Sequence, residues 1–399
     1  MTLVDVTSLF FWLIGGALLV PVVVLFIEVA ASYMADAGRR GVSLSPPRVA
    51  VLVPAHDEAL SIEATIASIL PELRDRDRLL IVADNCADHT EMFARAAGAE
   101  VIARADPMRR GKGYALDYGM RHLESDPPDI VIVVDADCQP DTGSLARIAA
   151  IAAASGRPVQ ARYVIAPPSG KGRSLYLSIA SFAMLVKNLA RPIGSHRLGL
   201  ACQLMGTGMA VPWRLTQEIE FATSEIVEDL VYGLQLAEKG YPPIFCPDAV
   251  IRSEFPASEK GQITQRTRWE NGHLNTIMRL LPGLFARSMR DKNFLLLMLV
   301  LDAAVPPLAF LALMVGAFSL LAIVATVITG ATWPGIIALA LNALLLVTVL
   351  LAWWRFGRKV LSLREMALAP LYILSKVGLY GSVLIGRRIG WKRSEREGP

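Results

Sequence analysis

The sequence of 399 residues predicts an α/β domain with a mostly parallel sheet, held between transmembrane α-helices at the two ends of the chain. Three observations predict this. Hydrophobic residues make up 53% of the chain and the mean hydropathy is +0.44, too apolar for an ordinary soluble enzyme, and the excess lies at the ends. Between about Pro46 and Arg290, short apolar runs alternate with helical stretches, the pattern of strands joined by crossovers. Within that middle, IVIVVDAD at 130–137 ends a β-branched run on two carboxylates, Asp135 and Asp137. Such a run reads as a strand buried on both faces, and its carboxyl end is where open α/β sheets place ligands.

Taken in order, the first apolar run, Leu9 to Ala31, carries one charge, Glu28. Runs of more than about 18 residues with so little charge are membrane-span candidates. No Lys or Arg precedes it and Asp5 does, the wrong flank for a cleaved signal, so residues 8–34 are predicted as an uncleaved anchor. Arg39, Arg40 and Arg48 follow, which by the positive-inside rule puts residues 46–290 in the cytoplasm.

In the middle region, 48–53, 79–83, 100–103 and 130–134 read as strands, and the segments after Glu58, His89 and Gly113 as helices. Farther on, 300–354 supplies two predicted spans. One runs from Asp302 to Thr329 with room to kink at Pro306 and Pro307, and one from Gly335 to Trp354. Residues 366–386 fit either a fourth membrane helix or one lying on the surface. The basic tail at 387–399 would fall outside in the first case, so the interfacial helix is preferred and the tail is placed in the cytoplasm.

Several functions are excluded by composition. A formal net charge of +4 is too small to argue for nucleic acid, and basic residues near the membrane ends suit topology and anionic lipid. Four cysteines without a C-x-x-C pair fit reduced thiols and do not suggest structural zinc. The loop after the first strand, PAHDEA, has no G-x-G-x-x-G, and neither Gly111-Lys112 nor Gly170-Lys171 completes a P-loop. Five scattered histidines offer no metal spacing.

What remains is a row of acids at successive strand ends. Asp57 and Glu58 follow the first strand, Asp84 and Asn85 the second, Asp135 and Asp137 the fourth. Together they outline one polar cleft. Two hard oxygen donors one residue apart suit Mg2+ or Mn2+ that also holds substrate phosphates. Asp84 offers an acceptor to a base or ribose, and Lys112 in RRGKGYALDYG offers a point charge to phosphate. Turn and capping chemistry accounts for Asp57 and Glu58 equally well. Glu228 and Asp229 open a helical segment, where acids are favourable dipole partners. Gln265, Arg268 and Trp269 share one face of another.

In combination these residues resemble the membrane-embedded branch of glycosyltransferase family 2, the inverting nucleotide-sugar transferases that include cellulose, chitin-oligosaccharide and hyaluronan synthases. The ordered signature is an acid after the second strand (Asp84), a D-x-D (Asp135, Asp137), an E-D pair (Glu228, Asp229) and Q-x-x-R-W (Gln265 to Trp269). The resemblance implies a GT-A fold, Rossmann-like in its nucleotide half. It implies that Ala55, Asp57, Glu58, Asp84 and Asn85 contact the nucleoside, that Asp135 serves the ribose or diphosphate, and that Asp137 with Asp135 holds the metal. It further implies Asp229 as general base beside Glu228, and Gln265, Arg268 and Trp269 on the diphosphate or acceptor. Gly206, Thr207 and Gly208 would form the small-residue loop beside the donor sugar. A UDP-sugar is the expected donor by family frequency. The expected acceptor is a growing polysaccharide or a lipid-linked saccharide, in concert with membrane lipid and other components of surface-polysaccharide synthesis at the inner membrane.

The membrane part is small beside that of the polymer synthases, which favours a single-sugar transferase to a polyprenyl or glycolipid acceptor as the alternative. A transporter with a regulatory domain is disfavoured. Three spans are few, and Glu28 and Asp302 lie near predicted cytoplasmic ends rather than the midplane. The segment from Ser174 to Ala190, apolar with Tyr176, Phe182 and Lys187, fits either a core helix or a dock between the acceptor region and the membrane.

Overall fold

A computed structural model describes residues 3–35, 45–168, 174–223 and 225–384. Helix α1 (Leu3–Ala31) leads through a segment outside the described residues, which holds Arg39 and Arg40, into strand β1 (Val49–Ala55). Then follow α2 (Ile62–Ile69), β2 (Arg78–Asp84), α3 (Thr90–Ala96), β3 (Glu100–Arg104), α4 (Lys112–Leu123) and β4 (Ile130–Val133). Strand β1 pairs in parallel with both β2 and β4, and β2 with β3, so the apolar runs form the parallel half expected of them. Alternate residues of β1 enter two cores. Val49, Val51 and Val53 pack on one face with Ile62 and Ile66 of α2, while Ala50 and Leu52 pack on the other with Leu116 and Met120 of α4.

The rest of the sheet is mixed in direction. The short β5 (Gln139–Pro140) and helix α5 (Ser144–Ser155) precede β6 (Val159–Ala166). Helix α6 (Leu175–Leu185) runs through a π-helical turn at Val186–Ala190 into α7 (Arg191–Arg197), and β7 (Met209–Pro212) and α8 (Trp213–Thr216) follow. After α9 (Glu228–Glu238) comes β8 (Ile244–Glu254). The eight strands lie in the order β3-β2-β1-β4-β7-β6-β8-β5, with β7 antiparallel to both β4 and β6. The strands of this second half were not expected from the sequence, whereas helical segments within Ser174 to Ala190 and from Glu228 onward were.

Helix α10 (Glu259–Arg279) carries the Q-x-x-R-W residues, and α11 (Leu281–Arg290) and α12 (Phe294–Ala303) follow. The break at Pro306-Pro307 separates α12 from α13 (Leu308–Thr329), because the first proline cannot continue a helix ladder. The expected span beginning at Asp302 therefore begins at Leu308, and Asp302 belongs to the preceding helix. Helix α14 (Trp333–Ala352) returns, continuing as a π-helical turn to Gly357. Among the described residues, three helices are long and apolar enough to cross a membrane: Leu9–Ala31, Leu308–Thr329 and Trp333–Gly357. Residues 363–384 form three short helices, α15 (Leu363–Ala367), α16 (Ala369–Ser375) and α17 (Val377–Leu384), instead of one continuous rod. The basic tail at 387–399 lies outside the described residues.

Two junctions join the apolar helices at the chain ends to the α/β domain. At the first, Arg191 on α7 donates to Glu28 on α1 (2.6 Å) and to Asp302 on α12 (2.5 Å), and Gln203 donates to the other Asp302 oxygen (2.9 Å). Gly194 permits this approach, since a Cβ there would lie 1.7 Å from the Glu28 carbonyl oxygen. At the second, α16 and α17 clamp α10. Lys376 and Tyr380 both bind Glu270 (2.5 and 3.0 Å), while Tyr372 accepts from Arg266 (3.0 Å). The Ser174 to Ala190 segment lies against the membrane helices: Ile179, Phe182 and Val186 share a buried cluster with Leu25 of α1 and Leu345 of α14.

Candidate active site

The parallel strands end at one edge of the sheet, and the acids that end them come together there. A cleft of about 260 Å3 is lined by Ala55, Glu58, Asp84, Lys112, Asp135, Asp137, Gly206, Glu228, Asp229, Gln265, Arg268 and Trp269. These come from seven separate stretches of chain, which is why no single motif announces the cleft.

Four expected residues stand behind it instead. Asp57 and Asn85 both have left-handed backbones (φ 53° and 52°), conformations that Asn and Asp adopt most readily after Gly. Asp57 accepts from the N–H of Ala87 (2.6 Å), and Asn85 accepts from that of Asp106 (2.8 Å), so each shapes a loop that presents its neighbour. Thr207, fully buried, accepts from the Asp135 N–H (3.1 Å) and so fixes the D-x-D backbone. Gly208 lets β7 approach the sheet; a Cβ there would lie 2.5 Å from Ile251.

Asp84 ends β2 at the cleft. Arg104 pairs with it at 2.5 Å, and Asn85 donates to it at 2.9 Å. Burial raises its carboxyl above the ordinary range, against the pull of Arg104. No local pattern marks this partner, because Arg104 lies on β3, one residue past the predicted strand.

At the centre, Lys112 joins the D-x-D to the E-D pair. Its ammonium lies 2.5 Å from Asp135 and 3.8 Å from Glu228 and donates to the Gly206 carbonyl (2.7 Å). Burial alone would lower it, but Asp135, Glu228 and Asp229 hold it above the usual lysine range. Gly206 has φ 85°, and a Cβ on it would press at 3.2 Å against both the Asp229 carboxylate and the Lys112 ammonium. The small-residue loop thus makes room at this point.

Glu228 and Asp229 occupy the first turn of α9, where free N–H groups face them; Asp229 accepts from its own N–H and that of Leu230. Burial dominates both carboxyls. It lifts Glu228 to about 8, with Asp229 and Asp135 adding to the rise and Lys112 opposing it. Asp229 is raised as well, by burial first, against Lys112 and Lys187. Both neighbouring acids thus hold their protons more tightly than exposed carboxyls do, with Lys112 opposing the rise in each.

Asp135, Asp137 and Cys138 bring possible ligand atoms within 4.8 Å of one another. Burial and the two carboxylates push the Cys138 thiol well up, which keeps it protonated and a poor ligand. The two hard oxygens that remain fit Mg2+ or Mn2+. Asp57, Cys86 and Asp88 also cluster. There the carboxylates accept from loop donors: Ala87 N–H on Asp57, and Ala59 N–H and the Thr90 N–H on Asp88. That cluster is loop structure.

Residues lining the cleft that the sequence reading of the site did not include are Lys187, Asn188, Gln203 and His273 among others. His273 bonds the Ala303 carbonyl (2.9 Å), and burial depresses it to about 3, leaving it neutral.

A family model described as glycosyltransferase like family 2 matches residues 46–272. The probable glycosyltransferase YdaM of Bacillus subtilis (strain 168) is 23% identical over 255 residues, 60% of this chain and 58% of that protein. Glucosyl-3-phosphoglycerate synthase of Mycobacterium tuberculosis is 37% identical over 95 residues, 22% of this chain and 28% of that one. The matched stretches therefore span less than two thirds of these relatives. Among solved structures, the mannosyltransferase PcManGT from Pyrobaculum calidifontis, in complex with GDP-Man and Mn2+, is similar in fold with a TM-score of 0.54 at 20% identity, covering 87% of this chain and 99% of that chain.

Proposed function

The chain belongs to glycosyltransferase family 2, and from that premise we propose that it is a membrane-bound inverting transferase. It moves a sugar from a nucleoside diphosphate donor, a UDP-sugar, onto a growing polysaccharide or a lipid-linked saccharide at the cytoplasmic face of the inner membrane. The observation that carries this reading is the convergence of Asp84, Asp135, Asp137, Asp229, Arg268 and Trp269 on one cleft beside the apolar helices.

Asp84, held by Arg104, accepts from the base or ribose. Asp135 and Asp137 would hold Mg2+ or Mn2+, which would neutralise diphosphate charge when bound. Lys112 and Arg268 place positive charge beside the leaving diphosphate as the bond from the anomeric carbon to the phosphate oxygen breaks. Asp229 takes the proton of the acceptor hydroxyl as its oxygen bonds the anomeric carbon from the opposite face, which inverts the centre. Its raised pKa makes it a stronger base than an exposed carboxylate. Glu228, protonated at neutral pH, limits the negative charge around the donor phosphates. Gln265 and Trp269 border the acceptor side.

The test is a donor panel with purified full-length protein and membrane lipids, followed by mass analysis of products, run beside Asp229→Asn. The wild type should transfer one sugar class in a metal-dependent manner, and the variant should bind nucleotide but not transfer. Absence of donor consumption across the panel would overturn the reading. Joint loss of binding and transfer in the variant would remove Asp229 as base. The small membrane part and the apolar cavity beside the cleft favour single transfer to a lipid-linked acceptor over extrusion of a polymer.

A further inference from the structure

Behind the cleft, toward the membrane helices, lies a second cavity of about 170 Å3. Its walls are apolar side chains from α1, α6, α13, α14 and α16, among them Leu25, Phe182, Ala312, Leu345 and Ile373. Met184, Lys187, Trp269 and His273 line this cavity and the catalytic cleft alike, so the two share a wall of side chains. An apolar cavity of about 150 Å3 holds a single benzene ring, so this one accepts a stretch of one hydrocarbon chain and not two side by side.

The charges around the cavity are unequal. Arg191 is neutralised by Glu28 and Asp302, and Glu270 by Lys376. Lys187, carried on the π-helical turn, makes no hydrogen bond or ion pair to a described residue, and π-turns of this kind recur at functional sites. Arg266 is 4% exposed, stacks 4.0 Å over the Tyr176 ring, and has only neutral hydrogen-bond partners; its Nη2 has none. Lys187 has no direct ion pair, with Asp229, Asp302 and Glu270 acting on it only from a distance, and Arg266 hydrogen-bonds no carboxylate; lining an apolar cavity, the two cations suit an anion attached to a hydrocarbon chain.

We propose that this cavity binds the acceptor as a single-chain lipid phosphate: the chain lies among α1, α6, α13 and α14, the phosphate meets Lys187 and Arg266, and the attached sugar reaches Asp229. This rests on the transferase reading above and narrows its acceptor. The phosphate would give both cations a direct ion-pair partner, and Trp269 lines both the cavity that takes the chain and the cleft that takes the sugar.

The test measures lipid retention by native mass spectrometry on the full-length protein in detergent, with geranylgeranyl phosphate, geranylgeraniol and phosphatidylglycerol as probes. UDP binding is followed in parallel. Geranylgeranyl phosphate should bind about tenfold or more tightly than the alcohol of the same chain. Lys187→Gln should reduce that preference, and Ala183→Trp or Met366→Trp, each filling the cavity, should remove both ligands while UDP still binds. Equal retention of phosphate and alcohol, stronger retention of the two-chain phosphatidylglycerol, or retention unchanged by either tryptophan would overturn the proposal. Since UDP binding reports only the donor cleft, its loss in the wild type would instead count against the transferase reading.

Discussion

Replacing Glu228 by Gln should stabilise the protein, by an amount that grows with pH. Glu228 is 6% exposed, and its carboxyl is lifted from 4.5 to about 8. Above pH 4.5 the unfolded chain releases this proton while the folded chain keeps it. The folded state then binds more protons, and stability falls as pH rises until about pH 8, where the loss levels off. At roughly 1.4 kcal/mol per pH unit, the loss reaches about 3 kcal/mol at pH 7. Glutamine has the shape of the protonated acid and cannot ionise, so the variant escapes this loss. For a domain of this size, the difference corresponds to an increase in Tm on the order of 6–12 °C at neutral pH. The assay is thermal unfolding of both proteins in the same detergent across pH 5 to 8. Any hydrogen bond that Gln makes less well adds a constant offset, so only the trend with pH matters. A gap between variant and wild type that is the same at both ends of the range would show that Glu228 is already ionised in the folded protein.

Asp137→Ala should weaken Mn2+-dependent UDP binding, and in the wild type that binding should decline as pH drops, because Asp135, raised by burial, must lose its proton to act as a ligand. Calorimetric titrations at two pH values check both, and unchanged metal dependence in the variant would remove Asp137 as a ligand. Gly206→Ala should cost about 1–2 kcal/mol from its left-handed backbone alone and should lower kcat more than it raises KM, because the new Cβ meets Asp229 and Lys112. Steady-state kinetics would show this, and unaltered kcat would refute it. Arg191→Met should cost roughly 3–5 kcal/mol by leaving Glu28 and Asp302 buried without a counter-ion. Adding Glu28→Gln and Asp302→Asn should recover most of that in thermal unfolding, and a single variant as stable as the wild type would contradict the account.

The half of the fold that could be read from sequence is the half whose strands are apolar on both faces. Strands β1, β2 and β4 carry that pattern and lead into acids, so both their identity and the cleft beyond them were visible. Strands β6 and β8 carry mixed residues and find each other only across a long crossover, and β7 is four residues long, which leaves no local pattern to read. Within the cleft, residues that keep their charge toward the solvent-filled space were foreseeable from their types: Asp84, Asp135, Asp137, Asp229. Asp57 and Asn85 are of the same type but are spent on left-handed turns, and type alone does not distinguish the two uses. The ion pairs were unreadable for another reason. Arg104 meets Asp84 across a parallel strand pair, and Arg191 meets Glu28 from a helix more than a hundred residues away, so the sequence records neither separation as proximity.

The clamp of α16 and α17 on α10 has a consequence for how this protein can be taken apart. Residues 46–290 hold the sheet and the cleft, and a soluble fragment of that length is the obvious candidate for crystallisation. Cut there, Glu270 would lose Lys376 and Tyr380, and Arg266 would lose Tyr372. Both lie on the helix that carries Gln265, Arg268 and Trp269. The fragment would keep its nucleotide half and free the helix that faces the acceptor, so donor affinity measured on it would transfer to the whole protein while acceptor behaviour would not.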